Sequence, residues 1–112
     1  MRLVILESPY AGDVERNLEY GRACLADCLA RGEAPIASHL LYTQPGVLDD
    51  SKPEERKKGI EAGFAWRRVA DCTVFYTDLG RSDGMIEAVR HCILSSLEYE
   101  CRTLGGKWSA GK

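Results

Sequence analysis

Short apolar runs alternate along this chain with longer stretches in which apolar residues recur every three or four positions. Four runs have the length and composition of strands that are buried on both faces: 3–6, 34–40, 71–77 and 99–104. The periodic stretches predict three amphipathic helices: 14–31, 52–69, and 82 or 83 to 97. The predicted order of elements is therefore β-α-β-α-β-α-β.

This alternation of strands and helices favours an α/β fold. Parallel neighbouring strands need crossover connections, and helices supply them while covering both faces of the sheet. We therefore expect a three-layer Rossmann-like or flavodoxin-like sandwich around a small, mostly parallel four-stranded sheet. Residues 1–104 are expected to form a single domain. Residues 105–112 are expected to be a loosely held C-terminal tail, which Trp108 pins to the body or to a partner subunit.

Residues with strong positional preferences mark the helix ends. Gly32 is well placed to stop the first helix. Ser51 and Glu54 have the spacing of a capping box, with a proline between them in the first turn, and Ser82 or Asp83 is expected to cap the third helix. The inward faces are predicted from their apolar and small residues: Leu18, Gly21, Leu25, Cys28 and Leu29 in the first helix, Ile60, Gly63 and Phe64 in the second, and Met85, Ile86, Val89, Ile93 and Leu97 in the third.

Composition and charge narrow the range of partners. The 112 residues carry 15 Lys and Arg against 17 Asp and Glu, with both signs interspersed, so we expect no surface for duplex nucleic acid or a membrane. No apolar run approaches the length of a signal-peptide core or a membrane span. Five cysteines without a repeated spacing are typical of reduced thiols in a cytoplasmic protein. Neither a metal nor a cofactor is expected, since Cys24 and Cys28 lack a matching second pair.

Ligands of open α/β sheets bind outside the carboxyl ends of the strands. Three polar segments follow strands here: "ESPYAGD" (7–13), "SHLLYTQ" (38–44) and "TDLGRSDGM" (77–85). We expect these segments to converge on one crevice. Its candidate ligand-binding residues are Ser8, Tyr10, Ala11, Gly12, His39, Tyr42, Asp78, Ser82, Gly84 and Met85.

Each candidate has a possible ligand role and a plainer structural alternative. Gly12 lets backbone approach a ligand or simply makes a turn, and Ser82 offers its hydroxyl to an anion or simply caps a helix. Asp78 accepts hydrogen bonds from a sugar diol or a base edge, or caps the following turn. His39 is a hydrogen-bond partner, acid or base for a ligand, or a satisfied structural histidine. The two loop tyrosines stack on a base or fill a half-buried loop.

Several short motifs occur in a fixed order between residue 3 and about residue 104: "ESPYAGD", a helix containing Asn17, "AP.ASH", "AD.TV.YTDLG" and "S.GM". Together they resemble the nucleoside 2-deoxyribosyltransferase-like superfamily, in particular its small uncharacterised bacterial and phage members. The resemblance implies a nucleoside or nucleotide in the crevice. In the enzymes, a helix carboxylate attacks the anomeric carbon of the deoxyribose and forms a covalent intermediate. Tyr10 and Asp78 match residues that position the nucleoside.

One position departs from that superfamily. Its enzymes place the nucleophilic glutamate four residues after the glycine that opens the helix, which is Ala88 here, whereas Glu87 is one residue early. A slip of one residue turns a side chain by about 100° around a helix. We therefore favour a protein that binds a nucleoside, a nucleotide or a nucleotide-derived signal without efficient deoxyribosyl transfer. The alternative is an N-glycosidase or deoxyribosyltransferase that uses Glu87, Glu7 or Glu61 as nucleophile, with Asp78 assisting.

A domain of this size has room for only a shallow crevice, and the superfamily often completes its site with a neighbouring subunit. We therefore expect a homodimer or larger homo-oligomer, built on the helix around "GIEAGFAW" (59–66). His91 follows Glu87 by four residues, which predicts a surface pairing between them. Flavin binding in the flavodoxin manner has only fold analogy in its favour.

Overall fold

The computed structural model describes residues 1–106 and 108. Its strands are β1 (Arg2–Glu7), β2 (Glu33–Ile36), β3 (Cys72–Tyr76) and β4 (Tyr99–Arg102). Its helices are α1 (Val14–Ala30), α2 (Ser38–Leu41), α3 (Pro53–Val69) and α4 (Asp83–Leu94). The predicted C-terminal tail lies outside the described residues, apart from Gly105, Gly106 and Trp108. The Trp108 ring meets Tyr20 edge-on, with 5.0 Å between the ring centroids.

The four strands form one sheet in the order β2-β1-β3-β4, and every neighbouring pair is parallel. Val4 of β1 is paired with Cys72 of β3, and Ile5 of β1 with Ile36 of β2. The predicted α/β fold is confirmed, with a sheet that is parallel throughout. Because β2 and β3 lie on opposite sides of β1, the loops after β1 and β3 part at this point and leave room for a crevice.

The central strands carry the hydrophobic core on both faces of the sheet. Val74 and Phe75 are consecutive and fully buried in β3, and they point to opposite faces. Val74 belongs to a cluster with Tyr20 and Cys24 of α1, and Phe75 to a cluster with Met85 of α4. Burying one such side chain fully contributes about 1.5–3 kcal/mol, so the two clusters hold α1 and α4 against the sheet.

The predicted strand at 34–40 is wrong in its second half. The strand β2 ends at Ile36, and after Ala37 in an extended conformation the chain turns into the four-residue helix α2. A helix of four residues is little more than one turn, so no 3.6-residue period can be detected in its sequence. The other elements match their predictions in kind, although α4 ends at Leu94 and β4 at Arg102, a few residues before the predicted ends.

The helix caps agree with the prediction at α1 and α4 but not at α3. Gly32 follows α1 with a φ of 79°, which suits a glycine stop, and the Ser82 hydroxyl accepts a hydrogen bond from the Met85 amide at 3.2 Å. The predicted capping box of α3 is wrong. Lys52 is the N-cap residue and makes no side-chain cap, while the Ser51 hydroxyl donates to the Asp49 carboxylate at 2.6 Å.

The predicted inward faces are too wide. Four of the residues predicted to face the core are exposed: Leu29, Ile60, Ile86 and Ile93. The buried stripe of α4 consists of Met85, Ala88 and Cys92, spaced i, i+3 and i+7. A sheet of four short strands covers only this narrow stripe, because neighbouring positions on a helix turn by about 100° away from it.

Candidate functional site

A cleft of about 520 Å³ opens at the carboxyl ends of β1 and β2, beside the start of α4, with α3 as its far wall. Most of the predicted ligand-binding residues lie in its lining: Ser8, Tyr10, Ala11, His39, Tyr42, Ser82, Gly84 and Met85. The structure therefore brings residues of the three predicted segments together at the carboxyl ends of the strands, the end at which open α/β sheets in general bind ligands.

Ser8 and His39 form a hydrogen-bonded pair inside the cleft. The Ser8 hydroxyl lies 2.7 Å from Nε2 of His39, and the Thr43 hydroxyl donates to the His39 carbonyl at 2.6 Å, which steadies α2. Burial lowers the pKa of His39 to about 4, so its imidazole is neutral at neutral pH. Its Nδ1 is buried and has no hydrogen-bond partner among the described residues. The pair thus presents neutral hydrogen-bonding groups rather than a charge.

The loop after β1 is held in place by a buried side chain of α1. The Asn17 amide donates to the carbonyls of Tyr10 and Ala11, at 2.9 and 3.0 Å. On the opposite side of the cleft, the Tyr42 hydroxyl accepts a hydrogen bond from the Trp66 indole of α3 at 2.8 Å. These contacts anchor the backbone at Tyr10 to α1 and the side chain of Tyr42 to α3.

Gly12 and Asp78 do not line the cleft. Gly12 has a φ of 98° and forms the turn into α1. The Asp78 carboxylate accepts a hydrogen bond from the Tyr20 hydroxyl at 2.6 Å and from the Leu104 amide at 3.0 Å. It therefore ties the end of β3 to α1 and to the segment after β4.

Glu87 and Ala88 occupy different parts of the cleft. Ala88 is buried in the lining and packs in the same cluster as Phe75. The Glu87 side chain is 64% exposed and its carboxylate pairs with Arg90 at 3.2 Å, so it touches the cleft only at the rim. The predicted pairing of Glu87 with His91 is wrong, because His91 turns inward toward α3.

The most buried charged residues that line the cleft are Glu7 and Arg67. Glu7 is the last residue of β1, and its Oε2 accepts a hydrogen bond from Arg67 Nη2 at 2.7 Å. Arg67 is 3% exposed, its Nη1 lies 2.9 Å from Nδ1 of His91, and its guanidinium lies 5.1 Å from the Phe64 ring centroid. Burial raises the pKa of Glu7, and burial together with Arg67 lowers the pKa of His91.

The sequence prediction missed Arg67. Its position carried a usable signal, because Arg67 follows Gly63 by four residues and so continues the predicted inward stripe of α3. A charged residue at a position that the helical period assigns to the interior is almost never fully buried unless it is paired. Such a residue marks either an error in the predicted face or a buried ion pair.

Among residues 1–106 and 108, no cluster of three or more His, Cys, Asp or Glu side chains could hold a metal ion. Cys24, Cys28, Cys72 and Cys92 are buried free thiols, and Cys101 is an exposed one. Within the same residues, no helix has the length and apolar character needed to cross a membrane.

Comparison with known proteins places the chain in a family. No curated protein matches it. One family model matches residues 2–102, which include every strand and helix described above and all of the cleft. The chain therefore belongs to the family described as "Domain of unknown function (DUF7768)".

Proposed function

We propose that the cleft binds a nucleoside, a nucleotide or a signal derived from one. The observation that carries the proposal is the convergence of Ser8, His39 and the start of α4 on a single cleft at the sheet's switch point. A volume of about 520 Å³ lies within the usual range for small-molecule sites. The sequence resemblance to nucleoside-handling proteins supports the same ligand class.

The chemistry of the cleft suits a flat apolar base joined to a polar sugar. Leu48, Ile60, Phe64 and Met85 supply apolar and aromatic surface for the base. The hydrogen-bonded Ser8 and His39 offer neutral donors and acceptors to hydroxyl groups of the sugar. Such a division between apolar walls and a few polar groups is typical of sites that fix the orientation of a small ligand.

Charge favours recognition of the base and sugar over that of phosphate. Two arginines line the cleft, and each is already ion-paired: Arg67 with Glu7 at 2.7 Å and Arg56 with Asp50 at 3.7 Å. The groups that remain to bind a phosphate are the backbone amides at the start of α4. Asp83 adds a negative charge in that first turn and opposes binding. We therefore expect phosphate groups to add little affinity.

Efficient deoxyribosyl transfer is not part of the proposed function. The position that corresponds to the nucleophilic glutamate of the enzymes that the sequence resembles is Ala88, and Glu87 is exposed and paired with Arg90. A carboxylate that is turned away by about 100° does not reach the anomeric carbon in line with the leaving base.

Thermal denaturation with added ligands tests the proposal. We expect at least one nucleoside to raise the melting temperature, since a ligand at 100 times its Kd stabilises the folded state by about 2.7 kcal/mol. The variant His39→Ala should lose most of this shift. The matched variant Ser95→Ala, at the far end of α4, should keep it. If no nucleoside or nucleotide stabilises the protein, the proposal is wrong.

A further inference from the structure

The Glu7 carboxylate has one oxygen that the protein leaves without a donor. Its Oε2 accepts a hydrogen bond from Arg67 at 2.7 Å, whereas no residue of the described part donates to its Oε1. The side chain lines the cleft and is 13% exposed, and Oε1 is not among the buried atoms that lack a partner. Oε1 is therefore accessible. Burial raises the pKa of Glu7 despite Arg67, so a further donor would stabilise the ionised carboxylate.

A rigid group of side chains holds this carboxylate beside an aromatic wall of the cleft. Arg67 is bound on one side to Glu7 and on the other to His91, and its guanidinium lies 5.1 Å from the Phe64 ring centroid. The Phe64 and His91 rings are stacked, with 4.0 Å between their centroids and 4° between their planes. Phe64 also lines the cleft, so one arginine connects the carboxylate to the surface proposed for the base. An acceptor fixed in this way needs little reorganisation when a ligand binds.

The lining of the cleft carries more acidic than basic side chains. Its acidic residues are Glu7, Asp50, Glu55, Asp83 and Glu87, and its basic ones are Arg56 and Arg67. Each arginine is ion-paired with one of these acids, and His39 is neutral at neutral pH. A lining of this sign favours ligand groups that donate hydrogen bonds over groups that carry negative charge.

We propose that Glu7 recognises the base of the ligand and that the cleft selects nucleosides whose base carries an exocyclic amino group, as adenine, cytosine and guanine do. This inference rests on the proposed function. The amino group donates an N–H to Oε1 of Glu7. A carbonyl oxygen in its place, as in hypoxanthine or uracil, turns lone pairs toward a carboxylate that has no hydrogen to donate.

Matched pairs of nucleosides test the selection on the native protein. Titration calorimetry compares adenosine with inosine, cytidine with uridine, and guanosine with inosine, in the ribo and 2′-deoxy forms. We expect the nucleoside that binds most tightly to carry an amino group, and its partner without one to bind at least about 10-fold more weakly. If the tightest ligand is inosine or uridine, or if the members of its pair bind equally, the inference is overturned.

Exchange of the carboxylate for an amide tests the role of Glu7 itself. Glu7→Gln keeps an oxygen for Arg67 and turns an N–H donor to the ligand, so the preference for the amino group should fall below about twofold or reverse. A merely structural role would weaken both members of a pair alike. Glu19→Gln, the same exchange at an exposed position of α1, should keep the native preference.

The outcomes separate this inference from the proposed function. An unchanged preference in Glu7→Gln overturns the inference. Nucleosides that bind the native protein without regard to the amino group also overturn it and leave the proposed function standing, whereas no binding of any nucleoside or nucleotide overturns both. If Glu7→Gln does not fold, the matched pairs on the native protein decide.

Discussion

Glu33 and Arg102 form a buried ion pair, called the sealed pair below, whereas Glu7 and Arg67 form the cleft pair, which lines the cleft. In the sealed pair both carboxylate oxygens accept from one guanidinium, with Nη1–Oε1 and Nη2–Oε2 distances of 2.7 and 2.5 Å. Arg2 approaches Glu33 as well, at 3.4 Å. In the cleft pair a single oxygen is bound, at 2.7 Å. Both glutamates are well buried, so burial alone does not distinguish the two pairs.

Because they differ in the number of bonded oxygens, the two carboxyl groups have pKa values that are shifted in opposite directions. Hydrogen bonds from Arg102 lower the pKa of Glu33, whereas burial outweighs Arg67 and raises the pKa of Glu7. A pair with every oxygen bonded stabilises the ionised form and serves the fold. The Glu7 carboxyl, in contrast, has a raised pKa and only one oxygen that accepts a hydrogen bond from the described residues, and it lines the cleft.

The largest effect is expected from breaking the sealed pair. The variant Arg102→Leu leaves the buried Glu33 without its guanidinium and should lower the free energy of unfolding by about 3–5 kcal/mol, as measured by urea denaturation. The matched variant Arg68→Leu, at an exposed arginine of α3, should change it by less than about 0.5 kcal/mol. A loss below about 1 kcal/mol in Arg102→Leu would contradict a structural role for the pair.

Breaking the cleft pair should cost less. The variant Arg67→Leu is expected to lower the free energy of unfolding by about 1–3 kcal/mol, because Glu7 can take up a proton or reach water in the cleft. Double-mutant cycles with Glu7→Gln and Glu33→Gln measure the coupling within each pair. A larger coupling in the cleft pair than in the sealed pair would reverse the comparison.

Acidification should change the contributions of Glu7 and Glu33 to the free energy of unfolding in opposite directions. The pKa of Glu7 is raised above its ordinary value of 4.5, so Glu7 favours folding more as the pH falls through the raised pKa. The pKa of Glu33 is lowered, so its contribution is full above 4.5 and is lost as the pH falls through the lowered pKa. Urea denaturation at a series of pH values measures this difference. On acidification, the free energy of unfolding should fall more steeply in Glu7→Gln than in the native protein, and less steeply in Glu33→Gln. Equal slopes in the two variants would show that the carboxyl groups do not differ.

The smallest effect is expected from the exposed pair at the rim. Glu87 and Arg90 have side chains that are 64% and 63% exposed, so Glu87→Gln should change the free energy of unfolding by less than about 0.5 kcal/mol. Urea denaturation checks this value, with Arg90→Gln as the partner variant. A loss above about 1 kcal/mol would mean that Glu87 has a role in the fold that its exposure conceals.

Much of the fold follows from patterns that are contiguous in the sequence. The apolar runs and the 3.6-residue periods identify the four strands and the helices α1, α3 and α4, since each pattern spans enough residues to be recognised. The helix α2 is too short for this, and it carries His39 into the cleft. The capping box at Ser51 failed because the preceding loop engages that hydroxyl through Asp49.

The candidate site, like the fold, was predicted only in part from the sequence. The rule that ligands bind at the carboxyl ends of parallel strands located the cleft from strand order alone, and most of the predicted residues line it. The rule gave the wrong place for Asp78. Its carboxylate accepts hydrogen bonds from Tyr20 and Leu104 and does not line the cleft. It also did not find Arg67, because the hydrogen bond to Glu7 joins residues 60 positions apart.

The sequence was sufficient for the alternation of strands and helices, the end of the sheet at which a cleft opens, and the absence of a glutamate at position 88. Each of these depends on local pattern or on the order of elements along the chain. Only the tertiary structure decided which charged groups meet and how many of their oxygens are bonded. These contacts depend on chain segments far apart in sequence, and a shift of about 1 Å makes or breaks them. For this reason Glu7 stands out in the structure, whereas in the sequence it is one carboxylate among 17 acidic residues.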